Sequence, residues 1–176
     1  VKDDIVLITH DHYDHNASGD APEGALIVRG PGEYESKGVR IRGIASFHDK
    51  SSGSERGLNT IYLIHAEDMT LCHLGDLGQE SLTDTQLEAI GDVDVLFVPV
   101  GGTYTTDGKE AAGVVSQVEP KIIVPMHFAV PGLKIDLDDA KKFIKEIGLD
   151  AEKTDKLKLA AKSLPVDETK LYLLQA

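Results

Sequence analysis

Hydrophobic positions along the chain fall into short β-branched runs broken by turn residues, and only three stretches carry a helical period. Ile5-Val6-Leu7-Ile8 is uninterrupted and apolar, which predicts a short buried strand. Ala25 to Arg29 predicts the next strand. Glu33-Tyr34-Glu35 and Val39 to Ala45 predict a hairpin around Ser36-Lys37-Gly38. The second hairpin strand runs into Phe47-His48-Asp49, followed by a polar, Gly-rich and mobile loop from Lys50 to Gly57. Asn59 to Ala66 and Met69 to Leu74 predict another strand pair with Glu67-Asp68 at its turn. The helical stretches are Leu82 or Thr83 to Ile90, Asp107 to Val118, and Leu137 to Ile147. In the first, Thr83 and Gln86 can form a capping box, and Gly91 closes the helix. Val93 to Pro99 and Lys121 to Pro125 read as apolar strands between the helices. Lys170 to Leu174 reads as an edge strand.

Strand pairs come first, then helix and strand in alternation, which by periodicity alone means one mixed α/β domain over residues 1–176. The bulk numbers agree. A chain of 176 residues, 41% hydrophobic and 27% charged, has the size and composition of a globular domain with a core. No apolar run approaches the roughly 20 residues a membrane span needs. The net charge of −12 argues against nucleic acid, whose phosphates are bound through Lys and Arg. The single Cys72 excludes an internal disulfide and suits a reducing, cytoplasmic setting.

The densest chemistry leaves the end of the first strand. Thr9-His10-Asp11-His12-Tyr13-Asp14-His15-Asn16 packs three of the seven histidines, with two carboxylates, into six positions. Imidazole with carboxylate is the ligand set of zinc and its neighbours. His10 and His12 can hold one ion, with Asp14 and His15 facing a second. A His-rich surface loop is the bland alternative, and the clustering counts against it. Asp11 is read as solvent-facing or bonded to the next turn, and Tyr13 as a packing residue.

His-x-His-x-Asp-His after a hydrophobic strand resembles the signature of the metallo-β-lactamase fold superfamily. The segment Ile8 to His15 looks most like its small stand-alone metal-dependent hydrolases, related to the ascorbate-phosphate lactonases. The resemblance implies an αββα two-sheet sandwich and a dinuclear site. It also implies three further ligands: His48 to complete the first ion, His127 to complete the second, and Asp76 to bridge both. Two such ions, about 3.5–4 Å apart, would lower the pKa of a shared water toward about 7 and give a hydroxide nucleophile. The expected activity is hydrolysis of a small ester, lactone or phosphate-containing substrate, with zinc preferred and Mn or Fe admitted. Asp14 is a candidate to orient the water or pass a proton. Tyr104 either offers its hydroxyl to an oxyanion or packs at the base of its loop. His73 is expected behind the ligands or buried, and His65 is expected to be structural.

Three other readings compete. A nuclease of this fold carries an inserted domain or RNA-binding arm, yet His127 follows Asp76 by only 51 positions. A redox di-iron protein places Glu where this chain has His12. A metal-stabilised binding module remains open. Members resembling this chain also begin with further strands and an Asp ahead of the His motif, whereas Val1 stands four residues before Ile5, and Asp3 and Asp4 lie too close to serve. The expectation is therefore a trimmed chain lacking the first strands. Its open sheet edge would be covered by a second copy or by a separate N-terminal piece.

Overall fold

The computed structural model describes residues 5–175, so Asp3 and Asp4 lie outside it. Two sheets form. β1 (Ile5–Ile8) and β2 (Leu26–Arg29) make a parallel pair. The larger sheet is built from β3 (Gly32–Ser36), β4 (Val39–Phe47), β5 (Leu58–Ala66), β6 (Met69–His73), β7 (Val95–Pro99), β8 (Ile122–Met126), β9 (Ala151–Thr154) and β10 (Lys170–Leu174). Its spatial order is β3-β4-β5-β6-β7-β8-β10-β9.

Connection chemistry decides where this sheet is antiparallel. Lys37-Gly38 and Glu67-Asp68 all adopt positive φ, which is the backbone that matches the twist of a two-residue hairpin. They join β3 to β4 and β5 to β6 antiparallel. Beyond β6 the links are longer, run through α1 (Asp84–Ile90), α2 (Gly108–Val118) and α3 (Ala140–Ile147), and the pairing turns parallel. Each helix starts on a side-chain cap. Thr83 and Gln86 form a reciprocal capping box, Asp107 and Glu110 form another, and the Asp139 carboxylate accepts from Lys141 N–H. The last helix therefore begins at Ala140, three residues later than its apolar pattern suggests.

Strand alternation divides the core. Ile61, Leu63, Cys72, Leu96, Val98, Ile123 and Leu171 point to the face covered by the helices, where Val114, Val115 and Phe143 pack. Val28, Ile41 and Tyr62 form a second cluster with Ile5 and Leu7, so the small sheet lies on the opposite face. Val95, Ile122 and Val124 continue that face beneath Leu157, Leu159 and Leu164. Burying each large apolar side chain contributes about 1.5–3 kcal/mol. Tyr62 fastens the two sheets together: its hydroxyl donates to Ile8 O at 2.8 Å and accepts from Gly30 N–H at 3.1 Å. Burial pushes that phenol up to about 12, so it remains a donor.

Two expectations need correcting. Lys170–Leu174 is not an edge strand, because β10 pairs with both β8 and β9. The edge is β9, whose sequence Ala-Glu-Lys-Thr has no apolar run and is held by backbone pairing with β10 and the packing of Ala151 on the core. The Lys50–Gly57 loop is tied down. The Asp49 carboxylate accepts from the N–H groups of Ser51, Gly53, Glu55 and Arg56 at 2.7–3.0 Å. Among the described residues no helix is long and apolar enough to cross a membrane.

Candidate metal centre

β4 and β6 flank the antiparallel β5, so they run the same way, and β7 and β8 continue that direction. The C-terminal ends of β4, β6, β7 and β8 therefore open on one edge of the sheet. β1 delivers its own C-terminal loop to the same place, where Thr60 N–H donates to Thr9 O at 2.8 Å. His10 to His15, His48, Asp76, Tyr104 and His127 all leave these ends, brought together by topology from five separate segments.

Asp76 is the meeting point. Its Oδ2 lies 3.4 Å from Nε2 of His48, 3.4 Å from His127, 3.7 Å from His15 and 3.8 Å from His10. These spacings are long for hydrogen bonds. They match two ligand atoms on one ion, since bonds of about 2.0–2.1 Å at a tetrahedral angle put the ligands about 3.4 Å apart. Two compact ligand groups result, His10-His12-His48 and His10-His15-Asp76. The rings of His10, His12 and His48 lie 4.7–4.9 Å apart, centroid to centroid.

The donor atoms fit a cation. Nε2 of His10, which faces Asp76, is buried without a hydrogen-bond partner, whereas the unpartnered Nδ1 atoms of His48 and His127 lie on the side of the ring away from Asp76. An unpaired buried polar atom is costly, and a bound ion would remove that cost for His10. Burial, outweighing the pull of Asp76, brings His10 down to about 4 and lowers His48 as well. Both are therefore neutral at pH 7, the form that ligates.

A rigid frame holds these groups. Asn59 Oδ1 accepts from Asp76 N–H at 3.0 Å, while its Nδ2 donates to Leu74 O and to Ser46 Oγ, both at 2.8 Å. Ser46 Oγ closes the ring on Asn59 O. Gly78 N–H donates to Phe47 O at 2.9 Å, and a Cβ at Gly78 would stand 2.3 Å from the His48 carbonyl. Likewise a Cβ at Gly101 would lie 2.1 Å from His127 O. Glycine is required at both positions because one ligand loop lies directly on another backbone. His127 itself has φ +52°, an uncommon backbone state for a non-glycine residue.

The remaining expected residues fall unevenly. Asp14 reaches His15 at 3.8 Å but stays outside both compact groups, its side chain 55% exposed. Tyr104 borders a cavity of about 430 Å³ that also touches His12, His48, Asp76 and His127. His73 accepts from Gly75 N–H at Nδ1 and stacks on Phe97, so it braces the Asp76 turn from behind. His65 bonds Thr70 on the sheet. Asp11 Oδ1 accepts from Asn16 Nδ2. Tyr13 is 91% exposed, contrary to the packing role expected of it, and lines the same cavity as Tyr104. Asn59, Ser46 and Asp49 were not foreseen; each is a lone polar residue whose role exists only after the strands pair.

The β-lactamase superfamily domain model matches residues 1–127, which span every residue of the expected ligand set. The chain belongs to the metallo-β-lactamase superfamily. Within it, the chain is 32% identical to a UPF0173 metal-dependent hydrolase from Staphylothermus marinus, covering 81% of this chain and 71% of that protein. A UPF0173 metal-dependent hydrolase from Pyrococcus horikoshii is 30% identical over 80% of this chain and 74% of its own length. A crystal structure from Thermotoga maritima, described as a candidate zinc-dependent hydrolase of the superfamily, superposes with a TM-score of 0.79 at 33% identity. That match covers 98% of this metallo-β-lactamase chain and 82% of the other. The chain thus stands with the stand-alone UPF0173 metal-dependent hydrolases.

Proposed function

We propose that this superfamily member is a dinuclear zinc hydrolase of a small ester, lactone or phosphate-containing substrate. The observation that carries the reading is one carboxylate oxygen, Asp76 Oδ2, within 3.4–3.8 Å of four imidazole nitrogens that come from three loops. His10, His12 and His48 would hold one ion, His15, His127 and Asp14 the other, with Asp76 between them. Bound metal would supply Lewis acidity and a water acidic enough to attack near neutral pH.

The chain's own groups do the rest. Buried His10 and His48 stay neutral and keep their lone pairs available. The exposed Asp14 carboxylate lines the cavity, which supports its orienting water or taking a proton. Tyr104 borders the same cavity, which supports its hydroxyl donating to an oxygen that gains charge.

A panel of lactones, carboxylic esters, phosphomonoesters and phosphodiesters tests this reading. Each is assayed with chelated protein, then after adding back Zn²⁺ or Mn²⁺. The proposal expects hydrolysis within one class, lost on chelation, restored by zinc and absent in His12→Ala. Metal binding with no hydrolysis of any class would leave a metal-stabilised binding module instead.

A further inference from the structure

Arg56 stands on the wall of the metal-centre cavity with His12, His48 and Asp76, and it is the one Lys or Arg there among the described residues. It also borders a second cavity of about 430 Å³, shared with His12, Arg29 and Leu58. Its guanidinium carbon lies 5.4 Å from the Tyr104 ring centroid. No carboxylate of the described residues pairs with it. Arg29 instead bonds Ser18 Oγ at 2.5 Å and faces Asp11 at 4.0 Å, Arg42 pairs with Glu33, and Arg40, which also lacks an acidic partner among the described residues, borders other cavities and not this one. In a chain of net charge −12, an arginine left without an acidic partner beside a site is a conspicuous choice.

The loop that carries it is fixed beforehand. Arg56 N–H donates to Asp49 Oδ2 at 2.7 Å, alongside three other backbone donors to the same carboxylate. His48 N–H donates to Gly57 O at 3.1 Å, which registers the loop directly to a candidate ligand. Thr106 N–H donates to Leu77 O, which fixes the Tyr104 loop against the Asp76 turn. Stacking on Tyr104 limits the sweep of the guanidinium while leaving its N–H edge free to donate. A charged donor held this way loses little freedom when it captures a ligand. The planar fork matches an oxyanion with two oxygens, a carboxylate or a phosphate.

We propose that the substrate carries a carboxylate or phosphate group apart from the bond that is cleaved, and that Arg56 binds that group. This rests on the hydrolase reading above, and the test separates the two. Metal-loaded parent, Arg56→Gln and Arg56→Lys are titrated by calorimetry with inorganic phosphate and, separately, with glutarate. Loss of a charge-assisted pair should weaken binding about tenfold or more in Arg56→Gln. Arg56→Lys should keep more of its affinity for phosphate than for glutarate, because a point charge replaces the fork. The stronger of the two probes indicates which oxyanion the site prefers.

Hydrolysis supplies the second arm, with a neutral lactone or ester and its carboxylate-bearing counterpart. Arg56→Gln should raise KM about tenfold for the charged member and leave the neutral one within twofold. Unchanged oxyanion affinity in both variants, or equal damage to neutral and charged substrates, would overturn the proposal and make Arg56 a loop brace. If no substrate is turned over, the hydrolase reading fails while calorimetry still decides Arg56. Should Arg56→Gln not fold, Arg56→Lys decides alone, and parent-like affinity for glutarate would refute the claim.

Discussion

The side chains of His48 and Asp76 are 2% and 9% exposed, whereas those of Asp14 and His15 are 55% and 32% exposed. The first pair stands on strand ends, beneath Asn59, Ser46 and Gly78, with backbone groups bonded across from neighbouring strands. The second pair sits on a loop braced by the bond from His15 N–H to His12 O. One half of the centre is thus an extension of the core, and the other is a surface loop laid over it. Burial and hydrogen bonding fix ligand geometry before any ion arrives, so the core half should bind first and more tightly. The loop half should fill second and exchange more readily.

The largest effect should come from disturbing the core half's backbone contact. Gly78→Ala puts a Cβ 2.3 Å from the carbonyl of His48, where no flexible side chain can yield. We expect a loss of about 3 kcal/mol or more in urea unfolding, together with loss of metal. A Gly78→Ala protein of parental stability would show that the two loops are not packed as described.

Next comes the polar frame. Asn59→Ala removes the acceptor for Asp76 N–H and leaves Ser46 and the Leu74 carbonyl without their donor. Affinity for the tighter ion should fall about 10–100-fold in a chelator competition. Affinity for the weaker ion should change less, and equal changes would erase the distinction between the halves.

The metal-free protein should report the buried imidazoles through pH. Burial brings His10 down to about 4 and lowers His48, while unfolded histidine titrates near about 6.5. Between these values the unfolded chain binds more protons than the fold. Stability should therefore be full above about pH 6.5, fall as pH drops toward about 4, and level off below it. A midpoint in urea that stays flat from pH 7 to pH 4.5 would contradict buried, neutral imidazoles.

Much of this was legible in the sequence, for physical reasons. Hairpin turns, caps and apolar runs are local, so Thr83 with Gln86 and Asp107 with Glu110 marked their helices correctly. The candidate loop was conspicuous because His10, His12, Asp14 and His15 crowd one short stretch, and the fold brings three of the four, without Asp14, into compact groups. Asn59, Ser46 and Asp49 were invisible, since a lone polar residue gains its partner only when distant strands meet. β9 was invisible because an edge strand can be largely polar and held mainly by backbone bonds. Tyr13 misled for the opposite reason: an aromatic in a ligand loop need not pack.

The smallest effect sharpens the frame from behind. His73 touches Gly75 N–H and Phe97 rather than the ligand groups. His73→Gln, whose amide oxygen can still accept that bond, should keep metal content within error, while His48→Gln should lose the tighter ion. Equal loss in both would move His73 into the centre and His48 out of it.

Metal titration of the chelated parent against Asp14→Ala, followed by elemental analysis, tests the central claim most directly. The account predicts two ions per parent chain with unequal affinities, and one retained ion in Asp14→Ala, bound as tightly as the parent's tighter one. A parent that saturates at one ion, or an Asp14→Ala protein that loses both together, would contradict it.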